Sequence, residues 1–170
     1  MSGGVLKAKS VSSVKPATAA QPLECWLGVV CDQAICDRAS LRATYVNVHE
    51  RWTLPSTDLL GQNLPFQAHF NVSGQGQYEV RLMWVGMDKS TQPAGDQPDE
   101  VMFEGRGHFS AAALKVPSKP GLYDLTLEWR YATDVTPALL SASGASEWRR
   151  APVRCPILVE VAKPQAVGQG

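Results

Sequence analysis

The stretch that decides the fold is Lys119-Pro120-Gly121-Leu122-Tyr123-Asp124-Leu125-Thr126-Leu127-Glu128-Trp129-Arg130-Tyr131. Pro120-Gly121 is a turn signal, and apolar residues then occupy every second position. Because a strand sends alternate side chains to opposite faces, the stretch predicts one apolar face and one wet face. The apolar set is Tyr123, Leu125, Leu127, Trp129 and Tyr131, and the wet set is Asp124, Thr126, Glu128 and Arg130. This pattern is typical of an antiparallel strand that covers a core.

The composition fits one domain with a core of useful size. The chain has 170 residues, of which 44% are hydrophobic. Its formal net charge is zero, which argues against a nucleic-acid or anionic-membrane partner, because such partners favour a basic surface. The apolar runs are too short to span a bilayer, and the N-terminus shows no secretory signal. We therefore expect a cytoplasmic protein with no membrane partner.

Three regions differ in composition. Residues 1–22 are rich in Gly, Ser and Ala, with lysines and no acid, and they predict a flexible, mildly basic N-terminal arm. Residues 23–162 carry the strand patterns and predict one β-sandwich domain, and residues 163–170 predict a C-terminal tail. The arm is either an idle tail or a segment that orders on a neighbouring subunit and supports self-association.

Alternating segments recur along the domain. Residues 23–31 predict a first strand, 32–40 a connection, and 41–54 a long β-branched and aromatic segment. Residues 64–72 and 78–85 alternate on either side of a Gly-Gln-Gly sequence, which predicts a hairpin.

The second half of the domain continues this pattern. Residues 101–116 predict two short strands, or one bent strand with a glycine kink at Gly105 or Gly107. Residues 153–161 predict the last strand. Seven to nine short strands without an amphipathic helix indicate an all-β protein, an antiparallel two-sheet immunoglobulin-like sandwich. A closed barrel is the alternative.

The stretch Pro120-Gly121-Leu122-Tyr123 and the alternating residues after it resemble immunoglobulin-like sandwiches. More narrowly, the layout is similar to a family of small, uncharacterised bacterial β-sandwich proteins, a domain of unknown function. The other matching elements are Val30-Cys31-Asp32-Gln33-Ala34 and Tyr78-Glu79-Val80-Arg81-Leu82. The resemblance implies a sandwich over roughly residues 25–162, in which Tyr123 closes a corner by bonding backbone. It implies no activity, because a fold does not define a function.

Four cysteines are present: Cys25, Cys31, Cys36 and Cys155. Four can pair in three ways, and their spacing does not choose among them. Zinc sites usually hold cysteines at shorter spacings such as C-x2-C. Because a reducing cytoplasm keeps thiols free, we predict that the four are not all disulfide-bonded and that they are mainly small buried hydrophobes. A disulfide and a metal site remain the alternatives.

The best candidate binding surface is Glu147-Trp148-Arg149-Arg150 with Arg154 close behind. Trp and Arg are enriched at binding hot spots, and binding residues concentrate on loops held by rigid scaffolds; this cluster follows a long loop. We therefore predict binding residues at Trp148, Arg149, Arg150 and Arg154. In the alternative interpretation, Trp148 packs onto the end of the sandwich and the arginines are solvated.

The histidines offer another possibility. His69 and His108 lie on separate predicted strands at outward positions, and with Cys36 or an aspartate they could form a surface metal site. Outward histidines are more often solvated, so we expect no metal and no cofactor.

Catalytic patterns are weak throughout. In His49-Glu50-Arg51, the histidine and the arginine share a strand face while the glutamate points away. Asp32, Asp37 and Asp58 could pair as carboxylates, but turn chemistry explains them. No Gly-x-Ser-x-Gly or His-Glu-x-x-His sequence is present. We therefore predict no catalytic residue.

Two functional hypotheses follow. The first is a non-enzymatic binding module on a β-sandwich scaffold with a protein partner. The alternative is a structural or assembly subunit, for example a phage virion or decoration component, in which the 1–22 arm clamps a neighbour. An enzyme or a metal protein is a third hypothesis.

Overall fold

The computed structural model describes residues 20–37, 39–40, 42–96, 98–132 and 147–163. Within these ranges the chain forms strands and one short 3-10 turn, and no α-helix. The strands are β1 (Gln21–Asp37), β2 (Arg42–Val48), β3 (Arg51–Leu54), β4 (Asn63–Leu64), β5 (Gln67–Gly86), β6 (Thr91–Pro93), β7 (Asp99–Ala111), β8 (Leu114–Lys115), β9 (Gly121–Tyr131), β10 (Arg149–Arg150) and β11 (Cys155–Val161). The prediction of an all-β protein is confirmed.

The two layers of the sandwich share the long strand β5. The first part of β5 pairs with β1 on one edge and with β7 on the other. Its last part pairs with β9 and with β6. One half of the sheet is therefore β2-β1-β5-β7, and the other runs from β6 and β5 through β9 and β11 to β3. The sheet curls so that its halves face each other, as Gly28 of β1 shows by lying against Cys155 of β11.

The core lies between these halves. Leu125, Leu127 and Trp129 of β9 are buried in it, as predicted. Trp84 of β5 is fully buried, and its indole nitrogen donates to the carbonyl oxygen of Lys115 at 2.7 Å. Large buried aromatic rings contribute much of the apolar area of such a core.

The corner implied by the resemblance is present. The Tyr123 hydroxyl donates a hydrogen bond to the carbonyl oxygen of Lys119 at 3.0 Å. This bond fixes the turn before β9 to the start of the strand, so that expectation is confirmed.

The predicted hairpin at Gly74-Gln75-Gly76 is wrong, because β5 runs through it without turning back. A Cβ on Gly74 would lie 2.7 Å from the Tyr78 hydroxyl, so this position needs a residue without a side chain. Gly76 has φ 130°, which glycine adopts most easily. The two glycines serve a close approach and an unusual backbone angle inside a strand.

Three other strand predictions have mixed outcomes. The connection expected over residues 32–40 is wrong, because β1 continues to Asp37 and pairs with β2. Residues 101–111 lie in one strand with Gly105 at φ 105°, but Leu114–Lys115 form the separate strand β8, so neither alternative for residues 101–116 is fully right. The last predicted strand is present as β11.

The predicted arm, the predicted tail and most of the long loop lie outside the described residues, which omit 1–19, 133–146 and 164–170. β1 begins at Gln21, within the range predicted for the arm. In the part of the chain that is described, no helix is long and apolar enough to cross a membrane.

Candidate functional site

Most of the predicted binding surface lies on the outer face of β5 and β9. Trp148 is half-buried there, with the Arg81 guanidinium 4.1 Å and the Arg130 guanidinium 4.6 Å from the centre of its ring. Such cation–π contacts stabilise a ring against a charged surface. Arg149 lies on the other side of β9, 5.2 Å from the ring of the core residue Trp129. Trp148 therefore packs onto the outer face of the sheet.

Glu128 organises this face. It is only 6% exposed and accepts two hydrogen bonds from Arg81, at 3.0 and 2.8 Å. Two more come from Arg150, at 3.1 and 2.8 Å. Burial raises the pKa of the Glu128 carboxyl group, but the hydrogen bonds from Arg150 and Arg81 outweigh it and hold the pKa below its ordinary value.

The prediction of a wet face on β9 is therefore wrong for Glu128 and for Thr126, which is 2% exposed. The Thr126 hydroxyl donates to the carbonyl oxygen of Met83 at 3.2 Å. The physical reason is that residues 147–150 return over this face, and β10 pairs with β9 at Glu128 and Trp129. The alternation of apolar and polar residues in β9 does not show that another segment covers its outer face.

The four predicted binding residues thus differ in their surroundings. Arg150 is paired with Glu128, and Trp148 lies against two guanidinium groups. The three arginines of the set are exposed, and Arg154 approaches Asp124 at 3.6 Å.

A second group of side chains lies where the hairpin of β1 and β2 folds over the outer face of β5 and β7. Cys36, His69 and His108 bring one ligand atom each to within 4.8 Å of one another. The Cys36 sulfur lies 3.9 Å from Nε2 of His69, and that nitrogen lies 3.1 Å from Nδ1 of His108. The sequence named these three residues as a possible metal set, and the fold brings them together.

Neighbouring polar atoms orient the two imidazoles. Ser110 Oγ lies 2.7 Å from Nδ1 of His69. Asn71 Oδ1 lies 2.8 Å from Nδ1 of His108 and 3.3 Å from Nε2 of His69. His69 is fully buried, and its burial, together with nearby His108, lowers the pKa of His69. A neutral imidazole keeps a lone pair for a ligand.

Sequence reasoning missed Asn71 and Ser110. The available signal was the strand period, because Asn71 follows His69 by two residues and so shares its face. Ser110 is directly opposite His69 across the pairing of β5 with β7, and His108 is opposite Asn71. Only the pairing register shows that these four side chains meet.

Two polar atoms of this cluster have unused hydrogen-bonding capacity. Tyr45 Oη and His108 Nε2 are buried without a hydrogen-bond partner in the described part of the chain, and the Tyr45 ring lies 5.3 Å from that of His69. A surface depression of about 220 Å³, lined by Asn71 and His108 among others, opens onto the cluster. Unpartnered buried polar atoms are uncommon and call for an explanation such as a water or an ion.

The other polar motifs are structural. His49 Nε2 lies 2.6 Å from Asp32 Oδ1, and Asn47 donates to the other oxygen of Asp32 at 2.8 Å. These bonds fasten β2 to β1. Asp37 accepts from the Ala39 amide at 2.9 Å, so its interpretation as turn chemistry is confirmed.

All four cysteines are free, which confirms that they are not all disulfide-bonded. Cys25, Cys31 and Cys155 are buried, whereas Cys36 is partly exposed. Burial raises the pKa of Cys25 to about 11 and the pKa of Cys155 to about 12. These two thiols therefore remain protonated and behave as apolar core atoms.

The fold and its strand pairing define an immunoglobulin-like β-sandwich. No family model and no curated protein matches the chain. Among solved structures the chain is similar to an ASH/PapD-like domain of human CEP192, PapD-like domain 7. The identity is 10%, the match covers 93% of this chain and 99% of that chain, and the TM-score is 0.29. At these values the likeness carries no conclusion about function or partners.

Proposed function

We propose that this β-sandwich is a protein-binding module that engages an extended segment of its partner along the free edge of β2. The main support for this proposal is that β2 pairs only with β1 among the described strands. Residues 43–48 of β2 contain no charged side chain. A free edge presents unpaired backbone N–H and C=O groups, and an extended peptide can add to it as a further strand.

The side chains beside this edge suit an apolar contact. Val46 pairs opposite Gln33, and Thr44 pairs opposite Ile35, so Ile35, Val46 and Val48 share one face of the hairpin. They are 54%, 38% and 54% exposed, respectively. Alternate side chains of an added strand would meet these apolar groups, which supports affinity beyond the backbone hydrogen bonds.

The edge of β7 is less suited to pairing. Its exposed side chains include Glu100, Glu104 and Arg106, whereas residues 43–48 of β2 carry no charge. Both edges hold one residue at positive φ, Gly105 in β7 and Asn47 in β2, so the charges make the difference. Charged side chains are one means by which proteins protect edges from pairing. The contrast supports β2 as the binding edge.

The occupant we propose is a segment of a protein partner. In the assembly-subunit alternative, the same edge would receive residues 1–22 of a second copy. The predicted Trp148 surface is a second candidate: Arg154 on it is exposed, and a cation there would suit an acidic partner segment.

Affinity capture from the cells that make the protein, with quantitative mass spectrometry, tests the proposal. Val46→Lys places a charge on the β2 edge, and Met87→Lys is its control, because Met87 is 78% exposed away from that edge. We expect Val46→Lys to lose a partner that the parent and Met87→Lys retain. Equal capture by all three would exclude the β2 edge.

Light scattering on the same proteins separates the two occupants. Self-association that Val46→Lys abolishes would favour the second copy. A monomer that enriches no partner would contradict a binding module altogether.

A further inference from the structure

We propose that Cys36, His69 and His108 bind a zinc ion, with the side-chain oxygen of Asn71 in the fourth position. Zinc sites in proteins combine cysteine thiolate and histidine nitrogen in a tetrahedral arrangement. A thiolate with two imidazoles is also a donor set that disfavours magnesium and calcium, which take oxygen ligands. This proposal does not rest on the β2 edge or on the partner proposed above.

Two of the three spacings among Cys36, His69 and His108 are close to those of a tetrahedral zinc site. Zinc–nitrogen bonds of about 2.0–2.1 Å and zinc–sulfur bonds of about 2.3 Å place two nitrogens about 3.3 Å apart, and nitrogen and sulfur about 3.6 Å apart. The corresponding distances are 3.1 Å between His69 Nε2 and His108 Nδ1, and 3.9 Å between His69 Nε2 and the Cys36 sulfur. Shifts of a few tenths of an ångström would complete these two edges. The third edge, between the Cys36 sulfur and His108, lies within 4.8 Å, so the Cys36 side chain would also move towards His108 by up to about 1 Å to reach the nitrogen–sulfur spacing of a zinc site.

Asn71 occupies the remaining corner. Its Oδ1 lies 3.3 Å from His69 Nε2 and 2.8 Å from His108 Nδ1, close to the about 3.3 Å expected between nitrogen and oxygen ligands of one zinc ion. An amide oxygen is neutral and a weaker metal ligand than a carboxylate. Replacing Asn71 by aspartate therefore tests whether this residue is a ligand.

The surroundings prepare the ligands. Ser110 Oγ, 2.7 Å from His69 Nδ1, can hold the ring so that Nε2 faces the other donors, as outer-shell partners of metal-bound histidines do. His69, Asn71, His108 and Ser110 are fixed by the register of β5 with β7. Cys36 comes from the overlying hairpin, and it would bind as the thiolate while its proton passes to solvent.

Access and burial indicate a structural role. The depression lined by Asn71 and His108 gives an ion a route to the cluster. His69 is fully buried, so a substrate would not reach its nitrogen. A bound ion would fasten the β1–β2 hairpin to β5 and β7.

The test is a titration of the full chain, stripped with chelator and kept reduced, first with cobalt(II) and then with zinc(II). We expect one cobalt per chain, a thiolate-to-cobalt absorption band, and displacement by one equivalent of zinc. Cys36→Ser should lose the band. His108→Gln should bind at least about 100-fold more weakly, since losing even an outer-shell partner costs about 10–100-fold.

Two further variants sharpen the result. His49→Gln is the control, because His49 pairs with Asp32 outside the cluster, and it should bind as the parent does. Asn71→Asp should bind more tightly, because a carboxylate replaces the amide oxygen. Circular dichroism establishes that each variant is folded.

The proposal would be overturned if the parent bound no stoichiometric metal, or if Cys36→Ser kept the absorption band. Unchanged or weaker binding by Asn71→Asp would remove Asn71 from the ligand set.

Discussion

The side chains of Glu128 on β9 and Arg81 on β5 form an ion pair on neighbouring strands. Glu128 Oε2 accepts hydrogen bonds from both Nε and Nη2 of Arg81. The two residues are opposite each other in the strand pairing. Arg150 takes the second oxygen of Glu128. The outer face of the sheet thus has a buried acid neutralised by two cations, which determines how this face responds to mutation and to acid.

Removing this acid should destabilise the fold. We expect Glu128→Ala to cost about 2 kcal/mol, because hydrogen bonds to charged groups contribute about 1.5–3 kcal/mol and the partly exposed arginines can be rehydrated. Trp129→Ala, in the core, should cost about 3–5 kcal/mol. Glu100→Ala, on an exposed position of β7, should stay within about 0.5 kcal/mol. Urea denaturation measures all three, and equal values for Glu128→Ala and Glu100→Ala would show that the outer face is wet.

The same group predicts a contribution to acid sensitivity. The pKa of Glu128 is lowered in the folded state from 4.5, so the folded protein releases this proton more readily than the unfolded chain. Its stabilisation is present above the unfolded pKa and is lost as the pH falls through the folded pKa. We expect the stability of Glu128→Gln relative to the parent to improve as the pH falls below 4.5, the ordinary pKa of this group. A difference that stayed constant from pH 6 to pH 3 would contradict this.

Two tyrosine hydroxyls should behave in opposite ways. Tyr78 Oη donates to the carbonyl oxygen of Gln21 and accepts from the Gln75 amide at 2.8 Å, so Tyr78→Phe leaves two backbone groups without a partner and should cost about 1–3 kcal/mol. Tyr45 Oη is buried without a partner among the described residues, so Tyr45→Phe should be neutral or stabilising. Thermal unfolding of the two variants gives the comparison. A larger loss from Tyr45→Phe would show that its hydroxyl has a hydrogen-bond partner, for which the nearby Asn71 side chain is the candidate.

The four thiols should differ in reactivity. The raised pKa of Cys25, about 11 instead of 9.0, leaves about 100-fold less thiolate, and burial also blocks access. In the native, metal-free protein, a thiol reagent should therefore modify Cys36 first, and the other three only after unfolding. Cys36→Ser should abolish the fast phase. A fast phase that persisted in this variant would place another cysteine at the surface.

The sequence predicted the inner face of β9 well and its outer face poorly. Alternation identifies which residues of a strand share a face, and burial of Leu125 and Trp129 followed. Whether the second face is covered depends on segments far away in the chain, here on Trp148 and Arg150. The charge of Glu128 indicated a side chain exposed to water, whereas in the structure its hydrogen-bond partners are two arginines.

The candidate metal cluster shows the same limit in another form. The sequence indicated a possible metal site at Cys36, His69 and His108 from residue type alone, because thiol and imidazole groups bind transition metals. Their convergence depends on the register of β5 with β7 and on the fold of the β1–β2 hairpin. The hairpin predicted at the glycines at 74 and 76 is wrong for a related reason. Glycine is used both in turns and where another group closely approaches a strand, so the residue type does not distinguish the two.

The length of β5 has a consequence for how the chain reaches its native state. On one edge, this strand (Gln67–Gly86) pairs first with β1, which precedes it in the chain, and then with β9, which follows it. During synthesis its second half therefore has no partner on that edge until residues 121–131 have left the ribosome. Pairings between such distant segments close slowly, because loop closure is completed before the contacts compensate for it. Until then the unpaired edge of β5 is open to aggregation.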